Sequence, residues 1–251
     1  YPGLSDVVGL MGKKPIFLPE TDWMSSLEKL PKGSLFYLSA DFANPTGKRI
    51  TLDERKQMLA IAEKNDFYIF DDATYRPFFL DHSLTSLVSL APERVFHSIS
   101  FSKFLSPGLR IAMTHVPSAF RDAFLSIKAN VSLNSSGFTQ AIVGGWLLTN
   151  DFSLSKHLDT FKNLLRSKQE FLHAQHVPYE GGFFVEIALQ QPSISLSWCA
   201  ELLAKEDVAA CPMSMFTDNI TLHNKLRLAI AKISLENLKV GFMKIHNFVG
   251  S

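Results

Sequence analysis

The sequence predicts an α/β fold, in which a mostly parallel sheet is sandwiched between helices, followed by a smaller C-terminal α+β domain. Short apolar runs alternate with helical segments up to about residue 130, which is typical of buried parallel strands joined by crossover helices. A long amphipathic segment at 153–175 then leads to a glycine turn and a changed pattern. We therefore expect one domain at residues 1–150 and another at residues 151–251.

Four short apolar runs in the first domain are predicted strands, because they resemble strands that are covered on both faces of a sheet. They are residues 15–18, 34–38, 67–70 and 95–99. Between the second and third strands, Thr51 and Glu54 form the pattern of a capping box that starts a helix. Two further helices are predicted at 117–130 and 136–149.

The second predicted domain begins with the long helix at 153–175, whose large apolar residues share one face. Gly181 and Gly182 form a turn that leads into a strand ending at Ile187. The remaining predicted elements are a helix near 195–205, a strand at 226–230 and a last helix from about Ser234.

Composition excludes several classes of protein. The hydrophobic fraction of 46% is enough for a sizeable core. The net charge is +1 and no basic or acidic block occurs, so nothing indicates binding to nucleic acid or to a membrane surface. The eight histidines are not grouped as metal ligands are, and we predict no metal site.

The cysteines and the first residues of the sequence indicate the cellular compartment in which the protein is expected. Cys199 and Cys211 are too few for a disulfide framework and fit a reducing compartment, so we expect a cytoplasmic protein. The start lacks the basic and apolar regions of a secretory signal, and no apolar run approaches the ~20 residues of a membrane span. Because the first residue is Tyr1 rather than methionine, we expect the sequence to start partway through a longer protein.

The most informative motif surrounds a single lysine. Lys103 stands between Ser100 and Ser102 on one side and a Pro-Gly turn with Arg110 on the other. Hydroxyl groups and a guanidinium suit a phosphate dianion, and a lysine amine beside them suits an aldehyde. The motif therefore indicates a phosphorylated aldehyde held as an imine, and pyridoxal phosphate is the cofactor that proteins bind in this way.

Three other motifs occur in a fixed order around this lysine. Asn44 opens an Asn-Pro-Thr-Gly segment, Asp72 and Tyr75 follow an apolar run, and Arg227 lies near the C-terminus. The four motifs together resemble the class I and II aminotransferases, the fold type I enzymes of pyridoxal phosphate. This resemblance runs from Tyr1 to about Val249 and implies a transaminase with pyridoxal 5′-phosphate as its cofactor.

The resemblance implies a role for each matched residue. Lys103 forms the imine and later moves a proton between the substrate and the cofactor. Asp72 pairs with the protonated pyridine nitrogen, although its neighbour Asp71 is a competitor for that role. Tyr75 and Asn44 hydrogen-bond the phenolic oxygen of the cofactor. The alternatives are a turn aspartate, a core tyrosine and a turn asparagine.

The remaining matched residues are expected to bind anions. Ser100, Ser102 and Arg110 bind the phosphate, and Arg227 grips the substrate α-carboxylate with a bidentate fork, with Asn44 as a second contact. Their alternatives are ordinary turn serines and solvated arginines. In the family, the phosphate loop and the aromatic residue that stacks on the cofactor ring precede the segment that corresponds to Tyr-Pro-Gly at residues 1–3. Both are therefore expected outside this sequence.

The predicted function is the transfer of an amino group between an amino acid and a 2-oxo acid. The spacing from Lys103 to Arg110 resembles the branch with aromatic, kynurenine and aminoadipate aminotransferases. Family members are commonly homodimers, so we expect a homodimer. Three alternatives stay open: a lyase or decarboxylase on the same scaffold, the aminotransferase-like effector domain of a transcription regulator, and a degenerate fragment that binds nothing.

Overall fold

A computed structural model describes residues 2–19, 21–148, 153–217 and 219–249. Its larger sheet contains strands β1 (Leu35–Leu38), β2 (Tyr68–Asp72), β3 (Val95–Ser100) and β4 (Ala112–His115), in the order β1-β2-β3-β4. The first three strands are parallel, and β4 pairs antiparallel with β3. The smaller sheet is antiparallel and has the order β5-β7-β6, with β5 at Phe184–Ala188, β6 at Cys211–Pro212 and β7 at Lys225–Ala229. The α/β class with a smaller C-terminal α+β part is therefore confirmed.

The helices are α1 (Pro2–Leu10), α2 (Trp23–Leu27), α3 (Leu52–Asn65), α4 (Leu87–Leu90), α5 (Arg121–Ser132), α6 (Gly137–Leu148), α7 (Leu154–Ala174), α8 (Leu196–Glu206) and α9 (Leu235–Val249). The helices α3 and α5 to α9 correspond to predicted ones, whereas α1, α2 and α4 were not predicted. The capping box at the start of α3 is confirmed, since Thr51 and Glu54 each accept a backbone hydrogen bond from the other residue. The end of the predicted 136–149 helix and the predicted domain boundary at 150 lie outside the described residues, and the division into two domains remains a prediction.

Two details of the larger sheet differ from the sequence prediction. Residues 15–18 are not a strand, because they pair with no other strand of the described chain, and Phe17 is 79% exposed. Strand β4 was not predicted. Its four residues, Ala-Met-Thr-His, are all exposed at the edge of the sheet. An exposed strand does not need an apolar run, so its sequence lacks the pattern by which the buried strands were predicted.

Two apolar cores support these sheets. The smaller core lies between α3 and the larger sheet and includes Met58, Phe67, Ile69 and Val95. The larger core joins the C-terminal sheet and its helices to residues that follow β2 and β3. Within the described ranges, no helix combines the length and the apolar character needed to cross a membrane.

A buried lysine links the long helix α7 to the smaller sheet. The Nζ of Lys168 donates to the carbonyl oxygens of Ile230 and Ala231, each at 2.9 Å. Burial lowers the pKa of Lys168. Its two hydrogen bonds hold the end of β7 against α7 and thereby fix the strand that carries Arg227.

Candidate cofactor site

The predicted site residues gather at one edge of the larger sheet. Asn44 lies in the loop after β1, Asp72 is the last residue of β2, and Lys103 lies in the turn after β3. Since β1, β2 and β3 are parallel neighbours, their carboxyl ends lie side by side. This is the edge at which parallel α/β sheets bind their ligands.

The structure separates the two adjacent aspartates. Asp71 is fully buried and bonds the backbone N–H of Ala40 at 3.3 Å and Nδ1 of His97 at 2.9 Å. Successive strand residues point to opposite faces, so Asp72 lies on the other side of the sheet. There it is half-buried and accepts hydrogen bonds from Tyr37 Oη at 2.7 Å and Thr74 Oγ1 at 2.6 Å.

This separation favours Asp72 over Asp71 as a partner of a cofactor. The oxygens of Asp71 are engaged inside the protein, where they tie β2 to its two neighbouring elements. Asp71 is also completely buried, whereas Asp72 is half-buried, so only the Asp72 carboxylate is accessible to a ligand.

The predicted phosphate ligands form one hydrogen-bonded chain. Nη1 of Arg110 donates to Oγ of Ser102 at 3.3 Å, and the backbone N–H of Ser102 donates to Oγ of Ser100 at 3.3 Å. Arg110 has a φ of 48°, in the left-handed region that non-glycine residues rarely adopt. This backbone conformation, directly after the Pro-Gly turn, returns the arginine toward the serines.

Lys103 lies on an anchored turn. The flanking Phe101 and Phe104 are buried in the larger core, whereas Lys103 itself is exposed and has no hydrogen-bond or ion-pair partner among the described residues. Nε2 of His157, on α7, donates to the carbonyl oxygen of Phe104 at 2.5 Å. The neighbours of the lysine are thus fixed, and its amine is open to a ligand.

His157 was missed by the sequence analysis. It lies on the predicted helix at 153–175, close to the apolar face of that helix. No motif marks it, because its partner is a backbone carbonyl more than 50 residues earlier in the chain.

The C-terminal sheet delivers Arg227 to the same site. Nη1 of Arg227 donates to Oδ1 of Asn44 at 3.0 Å, across the cleft between the two sheets. The guanidinium carbon lies 4.9 Å from the ring centroids of both Phe184 and Phe216. Phe184 also packs against the ring of Tyr75, with centroids 5.4 Å apart, so it connects the tyrosine and the arginine.

A buried ionic cluster holds the loop that carries Asn44. Asp41 accepts hydrogen bonds from Arg55 and Arg76, each at 2.6 Å, and from Arg49 at 3.3 Å. Arg49 also reaches Glu180 at 3.3 Å, so the cluster connects this loop with the chain just before β5. Burial would raise the pKa of Asp41, but the hydrogen bonds and charges of Arg55 and Arg76 outweigh it and hold that pKa below its ordinary value.

The described residues fit pyridoxal phosphate. An exposed amine, a half-buried carboxylate and a chain of hydroxyl and guanidinium donors match the aldehyde, the pyridine nitrogen and the phosphate of that cofactor. They stand at the carboxyl ends of a mostly parallel sheet that is followed by a smaller antiparallel sheet. This is the architecture of the fold type I enzymes, and it defines the class of the protein.

Comparison with known families agrees with this class. The family model for aminotransferase class I and II matches residues 10–245. The chain therefore belongs to the aminotransferase class I and II family. Among the described residues, no group of histidine, cysteine and acidic side chains has the arrangement of a metal site.

Curated relatives fall into two kinds. The chain is 30% identical over 242 residues to a 2-aminoadipate transaminase of Thermus thermophilus, covering 90% of this chain and 60% of the relative. It is 25% identical over 231 residues to the HTH-type transcriptional regulator NorG of Staphylococcus aureus, covering 87% of this chain and 51% of the relative. The chain thus spans only half to three-fifths of the length of these proteins.

Solved structures share the fold. The structure of LysN, the α-aminoadipate aminotransferase of Thermus thermophilus in complex with N-(5′-phosphopyridoxyl)-L-leucine, superimposes with a TM-score of 0.82 at 26% identity. It covers 100% of this chain and 69% of LysN. A multiple substrate aminotransferase of Thermococcus profundus gives the same TM-score, 0.82, at 23% identity, covering 95% of this chain and 64% of its own.

Proposed function

We propose that this chain is the cofactor- and substrate-binding part of an aminotransferase that moves an amino group between an amino acid and a 2-oxo acid. The observation that carries the proposal is the hydrogen bond between Arg227 and Asn44. It joins the residue proposed to bind the substrate carboxylate to the residue proposed to contact the cofactor.

Lys103 is proposed to attach the cofactor and to move the substrate proton. Pyridoxal phosphate, when bound, withdraws electrons from the substrate Cα. With the cofactor in place, the amine of Lys103 would accept the proton of the Cα–H bond and would deliver it to C4′ of the cofactor. Its exposure in the turn after β3 gives the amine access to both positions.

The surrounding groups are proposed to hold the cofactor in place. The Asp72 carboxylate keeps the pyridine nitrogen protonated, and Tyr75 and Asn44 donate hydrogen bonds to the phenolic oxygen. Ser100, Ser102 and Arg110 bind the phosphate. The hydrogen bonds from Tyr37 and Thr74 fix the orientation of the Asp72 carboxylate.

Arg227 is proposed to orient the substrate. A guanidinium binds a carboxylate through two parallel hydrogen bonds, which fixes the direction of the Cα–H bond. The aromatic rings of Phe184 and Phe216 both pack against the guanidinium, with centroids 4.9 Å from its carbon. The amino-acid and 2-oxo-acid substrates are predicted from the family alone. A cytoplasmic location is also a prediction.

A homodimer is proposed as the assembly. Helix α5 contains no buried residue, although several of its side chains are large and apolar. Leu125 is 55% exposed and Ile127 is 63% exposed. Apolar surface of this kind is typical of a protein–protein interface.

An absorbance spectrum tests the cofactor assignment. We expect the protein mixed with pyridoxal phosphate to show a visible band that is absent from the Lys103→Ala variant. Lys64→Ala, which removes an exposed lysine of α3, is the matched control and should keep the band. A spectrum of Lys103→Ala equal to that of the unchanged protein would refute the assignment.

The second candidate function is that of an effector domain in a transcription regulator. The similarity to NorG over 87% of this chain favours it. Both functions predict cofactor binding, so turnover separates them. Formation of a 2-oxo acid from an amino acid, dependent on an added acceptor oxo acid, supports the transaminase, whereas a β-lyase would release ammonia without an acceptor.

A further inference from the structure

The smaller sheet places a carboxylate directly beside Arg227. Glu186 of β5 and Arg227 of β7 are partners in the antiparallel register. Directly opposed residues project from the same face of a sheet, with Cβ atoms about 4.5–5.5 Å apart. Lys225 lies on this face as well and donates from Nζ to Oε1 of Glu186 at 2.5 Å.

Two buried atoms of this pair lack a hydrogen-bond partner in the described structure. They are Nε of Arg227, a donor, and Oε2 of Glu186, an acceptor. Buried polar atoms without a partner are rare, because each loses its hydration without compensation. A donor and an acceptor on opposed residues can satisfy each other.

The contacts of Arg227 explain why this bond is not made here. Nη1 of the guanidinium donates to Oδ1 of Asn44, and the guanidinium carbon lies 4.9 Å from the ring centroids of Phe184 and Phe216. These contacts hold the guanidinium in an orientation in which Nε makes no hydrogen bond. A carboxylate offers two charged acceptors and binds a guanidinium more strongly than one amide oxygen does.

We propose that Glu186 is the positioning residue of Arg227: a substrate carboxylate draws the guanidinium away from Asn44, and Nε–H then donates to Oε2 of Glu186. The inference rests on the proposed role of Arg227 in binding that carboxylate. The ion pair with Lys225 orients the Glu186 carboxylate for this contact.

The test compares two ligands that differ by one carboxylate. L-Norleucine and 1-aminopentane are titrated into protein loaded with pyridoxal phosphate, and the first, rapid change in its absorbance, before the amino group is transferred, reports binding. We expect Glu186→Gln to weaken norleucine binding about tenfold, as for one charge-assisted hydrogen bond, and to leave aminopentane unchanged. Glu201→Gln, at an exposed glutamate of α8, is the matched control.

A double-mutant cycle with Arg227→Lys completes the test. Lysine keeps the charge but has no Nε–H, so Glu186→Gln should have no further effect on norleucine binding in that background. Additive effects, or an equal loss for both ligands, would overturn the inference, since either result indicates a general structural role. Absence of a visible band in the unchanged protein would instead overturn the proposed function together with the inference.

Discussion

At the scale of single residues, Asp41 has the strongest structural role outside the proposed chemistry. It is almost completely buried, and Arg49, Arg55 and Arg76 all converge on it. The cluster is made from residues on either side of Asn44 and from the residue after Tyr75. It therefore stabilises the backbone from which both proposed cofactor contacts extend.

Replacing Asp41 by asparagine should destabilise the fold strongly. The variant leaves the buried guanidinium of Arg55 without its counter-charge, and removal of one partner of a buried ion pair costs about 3–5 kcal/mol. Urea denaturation measures the change in the free energy of unfolding. Asp159→Asn, at an exposed aspartate of α7, is the control. The prediction would be contradicted if Asp41→Asn lowered the free energy of unfolding no more than Asp159→Asn does.

The same aspartate predicts a pH dependence of stability. Its pKa in the folded protein lies below the ordinary value of 3.8, so the folded state binds this proton less tightly than the unfolded chain does. The stabilisation is therefore complete above that ordinary value and is lost as the pH falls through the folded pKa.

The measurement is the difference in unfolding free energy between the unchanged protein and Asp41→Asn from pH 6 to pH 3. We expect a constant difference at the upper end of this range and a smaller one below the ordinary pKa of 3.8. A difference that is the same at every pH would show that the ionised carboxylate is not what stabilises the cluster.

At the scale of secondary structure, α7 connects the two sheets to the turn that carries Lys103. Lys168 on this helix binds the end of β7, and His157 binds the carbonyl oxygen of Phe104. One rigid helix thereby fixes the strand of Arg227 and the turn of Lys103 relative to each other.

Loss of the His157 contact should weaken cofactor binding without unfolding the chain. His157→Leu removes the donor to Phe104, so the turn must be ordered by the cofactor itself, and we expect about tenfold weaker binding of pyridoxal phosphate. Titration by absorbance measures this affinity. His82→Leu, at an exposed histidine, should bind as the unchanged protein does, and equal affinity for the two variants would refute the role of His157.

At the scale of the whole molecule, the exposed face of α5 is the feature that a folded monomer does not explain. Because none of its residues is buried, the helix receives little stabilisation from the rest of the described chain. Isolated helices of this length are marginal in water, so an apolar face of this kind gains stability when a second surface covers it.

Sedimentation velocity tests whether a second copy covers this face. We expect the unchanged protein to dimerise and Ile127→Glu to dissociate at least about tenfold more readily, since a buried charge opposes association. Leu203→Glu, at a comparably exposed leucine of α8, is the control and should remain dimeric. A monomeric unchanged protein would contradict the homodimer proposal.

Much of the fold was predictable because local patterns agree with the global structure. Thr51 and Glu54 define the start of α3 through contacts only three residues apart, and such contacts are visible in sequence. Strand β4 and residues 15–18 were not predicted correctly, because strand formation depends on a partner elsewhere in the chain. The candidate site shows the same division, since its motifs are local but their mutual contacts are not.

The chemical groups of the candidate site could be identified from local motifs, because the lysine, the carboxylate, the phenol and the anion-binding residues each occur in a recognisable short pattern. Packing between distant segments added that Asp71 is buried against His97 while Asp72 is half-buried, that His157 anchors the turn of Lys103, and that Glu186 stands opposite Arg227. The physical reason is that side-chain direction and strand register are set by packing between distant segments, which a local motif does not encode.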